Sequence, residues 1–248
     1  MIKNVLFKEV IFHNLKIGDF DKLFKKKNLL LFPSAPGLAS MDNSIKYYES
    51  LKKADHVFFD SGFFVLLLRI LKNIKVNKFS GFKFLELFFL YLKKNKIKSI
   101  FCIDPNYELS KSNKLYLKKL GVKKIYSYVA PKYDPNHLLD KKLLKQIIEI
   151  KPSFIMTNIG GGTQEVLGLY IKKNVKFRVN ILCTGGAISF FTGDQAPINS
   201  LIDKLYLGWL IRLIFNPFTF SKRLVYALKL LPMVLMHNMK INVKTKKY

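Results

Sequence analysis

The residues best placed for chemistry follow a short apolar run in the first third of the chain. Residues 57–59 (VFF) lead directly into Asp60, Ser61 and Gly62, and a longer apolar stretch follows at 63–71. A strand, a carboxylate, a glycine turn and a helix in this order place a reactive group at the carboxyl edge of a parallel sheet, where ligands bind. Asp60 is therefore a candidate reactive group, and the alternative is that it only caps the following helix.

A glycine-rich loop is the second candidate. Residues 160–165 read GGGTQE, after a predicted strand and before a predicted helix. The backbone N–H groups of Gly160 and Gly161 can approach a phosphate or a carbonyl, with Gln164 and Glu165 at the mouth of the sheet. The spacing matches neither GxGxxG nor GxxxxGK(S/T), which excludes a dinucleotide or P-loop assignment. A tight strand-to-helix turn without a ligand is the alternative.

A second glycine turn, Thr184-Gly185-Gly186, ends another predicted strand. If the strands are parallel, this turn, the 160–165 loop and the Asp60 turn converge on one edge of the sheet. The convergence of three turns, more than any one of them, predicts a ligand site at that edge.

Metal and nucleophile chemistry find little support in the sequence. None of the four histidines lies at metal-ligand spacing from another, so we predict no bound metal. Asp19 and Asp21 could hold a divalent cation with a nucleotide diphosphate, but they directly precede the basic segment 22–27 and cap it in the simpler interpretation. Ser34 and Ser61 would be nucleophiles only beside a histidine, and we predict no cofactor.

Composition and charge narrow the class of partner. Half of the 248 residues are hydrophobic, with 22 Phe and 12 Tyr, so the chain can bury a sizeable α/β core. The net charge of +27 requires an anionic partner: nucleic acid, an anionic membrane surface or a phosphate-bearing substrate. Only four of the 43 basic residues are arginines. Since base readout favours arginine, nucleic acid is the weakest of the three.

Other features indicate the compartment. Cys102 and Cys183 are isolated, which fits a reducing cytoplasm better than a disulfide framework or a zinc site. Residues 1–20 lack the continuous apolar segment and the small-residue cleavage site of a signal peptide. No apolar stretch reaches the length of about 18 uncharged residues that a spanning helix needs.

Apolar periodicity predicts alternating strands and helices. The pattern predicts an α/β fold with a mostly parallel, Rossmann-like sheet and helices on both faces, after an N-terminal hairpin or edge strands at 5–12. The predicted strands lie at 29–32, 57–59, 99–103, 124–128, 153–159 and 177–184, with a further short strand ending at Ser80-Gly81. The predicted helices lie at 38–53, 63–71, 82–93, 108–120, 137–150 and 164–172.

The composition changes near residue 200, and we divide the chain into a core, 1–200, and a tail, 201–248. The tail holds nine basic residues and one acidic residue, and its apolar residues recur through 205–215 and 224–236. This pattern predicts an appendage of basic amphipathic helices in an anionic headgroup layer, or else a solvated helix face. Arg212 and Arg223 lie here, and the guanidinium fork suits a diphosphate. The membrane anchors would be Trp209, Phe215, Phe218 and Phe220.

Several spaced motifs resemble one family. The chain carries, in order, AD-x-V-x(2)-DSG at 54–62, SGF at 80–82, GGGTQE at 160–165, GG-A-x(2)-F-x(2)-G-x(2)-AP at 185–197 and W-x(2)-R-L-x(3)-P at 209–217. These motifs resemble the WecG/TagA/CpsF glycosyltransferases over roughly residues 30–220. The resemblance implies a bacterial enzyme that moves a sugar from a nucleotide donor to a lipid-linked sugar diphosphate at the inner membrane face.

The resemblance also implies roles for single residues. Asp60 matches the family's proposed catalytic base, and Lys78 falls where the family has an arginine that contacts substrate phosphate. Gln164 matches a glutamine that lines the nucleotide-sugar site, and Arg212 matches an element that closes over the pocket. Ser34 is the nearest polar group in the loop that replaces the family's Thr-x-Asn-Pro, and we count it as catalytic. The remaining substrate-binding predictions are Ser80, Gly160, Gly161, Glu165, Gly185, Gly186 and Arg223.

The chain departs from the family pattern at four positions. Gly162 and Thr163 replace a proline and a basic residue before the Gln-Glu pair. Gln195 replaces the arginine before Ala-Pro, and Gly208 replaces the glutamate before the tryptophan. Asp60 is retained, which favours an active enzyme.

We therefore predict an inverting glycosyltransferase of bacterial surface polysaccharide synthesis. The donor would be a UDP-sugar, the acceptor a polyprenyl-diphosphate-linked sugar and the base Asp60. The transferred sugar would be an N-acetylhexosamine, a hexosaminuronic acid or a hexose. The enzyme would be cytoplasmic and peripheral on the inner face of the cell membrane, without a nucleic-acid partner, and self-association into a homo-oligomer is left open. The alternatives are a catalytically inactive membrane-associated scaffold of the same fold and a nucleic-acid-binding protein.

Overall fold

The structure, a computed structural model, describes residues 2–97, 99–195 and 197–244. Its strands in chain order are β1 (Asn4–Phe7), β2 (Val10–His13), β3 (Asn28–Leu31), β4 (His56–Phe58), β5 (Ser99–Asp104), β6 (Lys124–Val129), β7 (Phe154–Thr157), β8 (Asn180–Cys183) and β9 (Lys240–Ile241). They form one sheet in the order β6-β5-β7-β8-β3-β4-β2-β1-β9.

The sheet is parallel over most of its width. The strands from β6 to β2 in that order pair in parallel, whereas β1 pairs antiparallel with both β2 and β9. The structure thus confirms the predicted mostly parallel α/β sheet and its N-terminal hairpin, in which Phe7 pairs with Val10 across the turn.

Helices flank the sheet. In chain order they are α1 (Ala35–Ala39), α2 (Ile45–Lys53), α3 (Gly62–Lys72), α4 (Gly81–Asn95), α5 (Tyr107–Lys119), α6 (Lys141–Ile150), α7 (Thr163–Asn174), α8 (Ser189–Thr192), α9 (Ser200–Lys204), α10 (Gly208–Phe215), α11 (Pro217–Ala227) and α12 (Leu230–Met236). Short 3-10 turns lie at Ile17–Phe24, Met41–Asn43, Pro135–His137 and Gly185–Ile188.

Both faces of the sheet are buried. In β3, Leu29 and Leu31 belong to one buried cluster and Leu30 belongs to the other, since successive side chains of a strand point to opposite faces. On the face of Leu30, α4 supplies an aromatic layer in which Phe84 and Phe88, one helical turn apart, stack with their ring centroids 5.8 Å apart. Coverage of both faces explains why the strands are continuously apolar.

Three predicted elements are wrong in detail. The helix predicted at 38–53 is interrupted, because the Ser40 hydroxyl donates to the Gly37 carbonyl at 2.8 Å and Ser44 adopts an extended conformation. The helix predicted at 137–150 begins only at Lys141, where Asp140 caps it by accepting from the Leu143 N–H at 2.8 Å.

No strand precedes Ser80-Gly81 in this part of the described chain. The segment from Lys75 to Ser80 has no regular secondary structure, and the Phe79 N–H donates to the Phe59 carbonyl at 2.9 Å. This bond holds the segment beside the end of β4 without forming a ladder.

The tail packs on the core and returns to its sheet. Pro217 occupies the first position of α11, where the missing N–H costs little. Leu230 and Val234 of α12 are fully buried in the same cluster as Leu29, and β9 pairs with β1. Within the described ranges, no helix has the length and apolar character needed to cross a membrane. The division at residue 200 stays a prediction.

Candidate active site

The three predicted turns meet at one rim. Because β4, β8 and β7 run parallel within the sheet, the Asp60 turn, the Thr184–Gly186 turn and the 160–165 loop all follow carboxyl strand ends. A Cβ placed on Gly81 would lie 3.5 Å from the Thr184 carbonyl oxygen and 3.8 Å from Asp60 Oδ1. Gly81 therefore joins two of these turns through a close backbone approach.

Asp60 does not cap the helix that follows it. The Ser61 hydroxyl accepts from the Phe64 N–H at 3.1 Å and caps α3, so the capping alternative for Asp60 is wrong. Asp60 Oδ1 instead accepts from the Gly81 N–H, the first amide of α4, at 2.7 Å. The carboxylate thus faces a helix N-terminus, which favours negative charge.

The surroundings of Asp60 tune its basicity. Burial raises the pKa of the Asp60 carboxyl, while the Gly81 N–H and the charges of Lys78 and Arg212 act in the opposite direction. The residue nevertheless keeps partial exposure to solvent. A partly accessible carboxylate with a raised pKa is suited to accept a proton near neutral pH.

The tail places two arginines near enough to this carboxylate for their charges to interact with it. The Arg212 guanidinium lies 4.8 Å from the ring centroid of Phe190, and Arg212 and Arg223 lie 5.9 and 5.4 Å from that of Phe220. Burial lowers the pKa of Arg212, and the charge of Asp60 counters this effect. Arg212 Nε is buried with no hydrogen-bond partner in the described chain. These cations are held by aromatic rings, with donors left for an anion.

Gln164 and Glu165 form a buried hydrogen-bond network at the rim. Gln164 Oε1 accepts from the Gly185 N–H at 2.7 Å, and Gln164 Nε2 donates to Glu165 Oε1 at 3.1 Å. Glu165 Oε2 accepts from the Gly162 N–H at 2.7 Å. Gly185 has a φ of +58°, a conformation that favours glycine. The pair therefore fixes the two glycine turns relative to each other.

Burial also changes the ionisation of Glu165. The carboxyl is 1% exposed, and this burial, with the charge of Asp60 as a lesser cause, raises its pKa to about 7. The amide and Gln164 hydrogen bonds only partly offset that shift.

Lys78 and Ser80 contact a carboxylate of the tail. Lys78 Nζ donates to Asp203 Oδ1 at 2.6 Å and to the Asp203 carbonyl at 2.8 Å, and Ser80 Oγ donates to Asp203 Oδ2 at 2.8 Å. The Tyr206 ring lies under Lys78 Nζ at 5.5 Å and against Gly62, where a Cβ would meet it at 2.5 Å. The two groups predicted to bind substrate thus hold the tail over the Asp60 turn.

The other predicted residues line the rim less directly. Ser34 Oγ accepts from the Gly37 N–H at 3.4 Å and caps α1 at the end of β3. Gly160 and Gly161 are exposed, with space around their Cα atoms for a ligand. A Cβ on Gly186 would lie 2.7 Å from Gln195 Nε2, so Gln195, which stands where the family has arginine, rests on this turn.

Sequence reasoning missed Asp104, a buried carboxylate at this edge of the sheet. Asp104, at the end of β5, accepts through Oδ1 from the Asn113 and Asn158 amides at 2.7 Å each, and its Oδ2 has no partner in the described chain. Burial raises its pKa. The signal that could have found it is the one used for Asp60, a carboxylate directly after a strand.

A cavity lies away from Asp60, and the described residues contain no cluster of metal ligands. A shallow cavity of about 480 Å³ between α4 and α5 is lined by Lys83, Tyr116 and Phe191 and does not include Asp60. No group of three His, Cys, Asp or Glu side chains in the described residues could hold a metal ion. Asp19 pairs with Lys22 at 2.6 Å.

The strand ends of this parallel sheet bring together a partly accessible carboxylate and two glycine turns, beside two arginines of the tail. This arrangement defines an α/β protein with a ligand site at the carboxyl edge of its sheet. The glycosyl transferase WecG/TagA/CpsF family has a sequence model that matches residues 9–245. The chain belongs to this family and is a glycosyltransferase, which confirms the resemblance seen in its motifs and supports a role in cell-surface polysaccharide synthesis. No curated protein matches the chain significantly.

Proposed function

We propose that this glycosyltransferase moves a sugar from a UDP-sugar to a lipid-diphosphate-linked saccharide by direct inverting transfer. The sugar is an N-acetylhexosamine, a hexosaminuronic acid or a hexose. The observation that carries the proposal is the arrangement at Asp60, a partly accessible carboxylate faced by Arg212 and Arg223, two cations without a paired carboxylate in the described chain.

Each group has one task in the transfer. Asp60 accepts the proton of the acceptor hydroxyl as that oxygen attacks the anomeric carbon. The bond from this carbon to the UDP oxygen breaks on the opposite side, and negative charge develops on the leaving diphosphate. Arg212 and Arg223 stabilise this charge, together with Lys78 and the amides of Gly160 and Gly161. Gln164 and Glu165 act through the turns that they hold.

The tail closes the site and binds an anionic membrane surface. Asp203 fastens α9 to Lys78 and Ser80, which supports the closing role. The side chains of Trp209, Phe215 and Phe218 are 50%, 61% and 86% exposed, on helices that also carry basic residues. Exposed aromatic and basic groups on neighbouring helices suit a headgroup layer. We place the enzyme in the cytoplasm, peripheral on the inner face of the membrane, and co-sedimentation with anionic vesicles checks this.

Asp60→Asn tests the function. The amide keeps the shape and can still accept from the Gly81 N–H, but it cannot take a proton. We expect transfer from a UDP-sugar to fall by about 10²–10⁴, with UDP affinity and thermal stability near those of the wild type. Asp21→Asn, at an exposed carboxylate, is the matched control. Wild-type turnover by Asp60→Asn removes the base assignment, and a wild type without UDP binding supports the inactive scaffold instead.

A further inference from the structure

Tyr47 is an unusual residue in this core. It lies in α2, is 1% exposed, and is the only buried tyrosine in the described part of the chain. Its hydroxyl oxygen is buried and has no hydrogen-bond partner among the described residues. The other large aromatic side chains that are fully buried are phenylalanines.

The unpaired hydroxyl has an energetic cost. A buried polar group without a hydrogen bond destabilises the folded protein. A phenylalanine would fill nearly the same volume without this cost, and the chain uses 22 phenylalanines, many of them in its core. The packing of α2 therefore gives no reason for the hydroxyl, and a ligand at the rim would supply the missing acceptor.

The position of the hydroxyl points to that ligand. A Cβ placed on Gly37 would lie 2.8 Å from Tyr47 Oη and 3.5 Å from Ser34 Oγ, so both hydroxyls lie beside the Gly37 backbone at the carboxyl end of β3. In the sheet, β3 lies between β4, which leads to Asp60, and β8, which leads to the Gly185 turn. The pKa of Tyr47 is raised well above its ordinary value, first by burial and then by Glu165 and Asp60. The hydroxyl is therefore protonated and can act only as a donor or a neutral acceptor.

We propose that Tyr47 is a substrate-positioning residue whose hydroxyl donates a hydrogen bond to an oxygen of the sugar bound beside Asp60. The ligand chemistry is a hydroxyl or an acetamido carbonyl of a pyranose, carried by either the transferred sugar or the acceptor sugar. The inference rests on the proposed function, since it requires a sugar at Asp60. It adds a specificity determinant from α2, an element that contributes none of the predicted residues.

The helix offers a matched control at the next position. The Tyr48 hydroxyl donates to the Lys8 carbonyl at 2.8 Å, so it is satisfied within the protein. Tyr48→Phe removes a native hydrogen bond and leaves the site untouched. Tyr47→Phe removes an unpaired hydroxyl and leaves the native hydrogen bonds untouched. The two substitutions remove the same atom with opposite expected consequences.

Both variants and the wild type are compared in thermal unfolding, UDP titration and steady-state transfer with full-length protein. We expect Tyr47→Phe to be at least as stable as the wild type, to bind UDP equally, and to lose about tenfold in kcat/KM. A rise in KM for the UDP-sugar assigns the contact to the transferred sugar, and a rise in KM for the acceptor assigns it to the acceptor sugar. Tyr48→Phe should lose stability and keep both KM values.

Two outcomes overturn the proposal in different ways. If the wild type transfers sugar and Tyr47→Phe matches it in kcat and in both KM values, the hydroxyl has no role in binding and the inference fails alone. If the wild type neither binds UDP nor transfers a sugar, the proposed function fails and takes this inference with it.

Discussion

The two halves of the rim are built in opposite ways. In the core half, made of Gln164, Glu165 and the two glycine turns, side-chain oxygens accept from the backbone amides at 2.7 Å and the network closes on itself. In the tail half, made of Arg212, Arg223 and Phe220, the cations lie against aromatic rings and Arg212 Nε has no partner in the described chain.

The difference assigns separate tasks to the halves. A network that satisfies its own hydrogen bonds is a rigid support, and it has few donors left for a ligand. Cations that aromatic rings hold in place, without a salt bridge to a described carboxylate, are preorganised for charge that arrives with the substrate or develops during the reaction. We therefore propose that the core half supplies geometry and that the tail half supplies electrostatic stabilisation. Asp203, held by Lys78 and Ser80, joins the halves.

Removal of a tail cation should have the largest effect. Arg212→Gln keeps a polar side chain but loses the charge that faces Asp60, so we expect the transfer rate to fall by about 10²–10³. Thermal stability should change little, because Arg212 makes no ion pair with a described carboxylate. Arg69→Gln, at an exposed arginine of α3, is the control and should keep the wild-type rate. An equal loss of transfer rate in both variants would mean that the total positive charge matters and the position of Arg212 does not.

Weakening the contact between Asp203 and Lys78 should have an intermediate effect on the transfer rate. Asp203→Asn removes the charge that Lys78 contacts at 2.6 Å between side chains of only 12% and 15% exposure. Hydrogen bonds to charged groups contribute about 1.5–3 kcal/mol, so α9 and α10 should exchange their amide hydrogens faster and the transfer rate should fall several-fold. Asp42→Asn breaks a more exposed pair with Lys8 and is the control. Unchanged exchange in α9 would show that Asp203 does not hold the tail.

A substitution in the core half should change the free energy of unfolding more than the transfer rate. The folded-state pKa of Glu165 is about 7, above its ordinary value of 4.5, so the folded protein retains a proton that the unfolded chain releases. Stability is therefore lost as the pH rises from about 4.5 to about 7, by at most on the order of 3 kcal/mol. Glu165→Gln removes this loss and keeps an oxygen for the Gly162 N–H.

Unfolding of the wild type and of Glu165→Gln by denaturant at several pH values checks the prediction. Between these pH values, the free energy of unfolding should decline less steeply for Glu165→Gln than for the wild type. Glu108→Gln, at an exposed carboxyl, should show the same pH dependence as the wild type. Identical slopes for the wild type and Glu165→Gln would mean that Glu165 is ionised in the folded protein throughout the window.

The sequence predicts those site residues whose position depends only on the order of neighbouring elements along the chain. A carboxylate or a glycine turn directly after a strand is visible in the chain, and parallel pairing then brings Asp60 and Gly185 to one edge. The contact between Lys78 and Asp203 spans 125 residues and depends on how the tail folds back, which no local pattern encodes. Tyr47 was missed for another reason. Only the three-dimensional packing shows that its hydroxyl is buried without a partner among the described residues.

The central claim is that cations from the tail meet a diphosphate beside Asp60. Calorimetric titration of UDP into the full chain and into Arg212→Gln tests it most directly. We predict that the wild type binds UDP with an affinity that weakens as salt rises, and that Arg212→Gln binds it about tenfold more weakly or worse. Equal affinity in the two proteins, or no UDP binding by the wild type, would contradict the account.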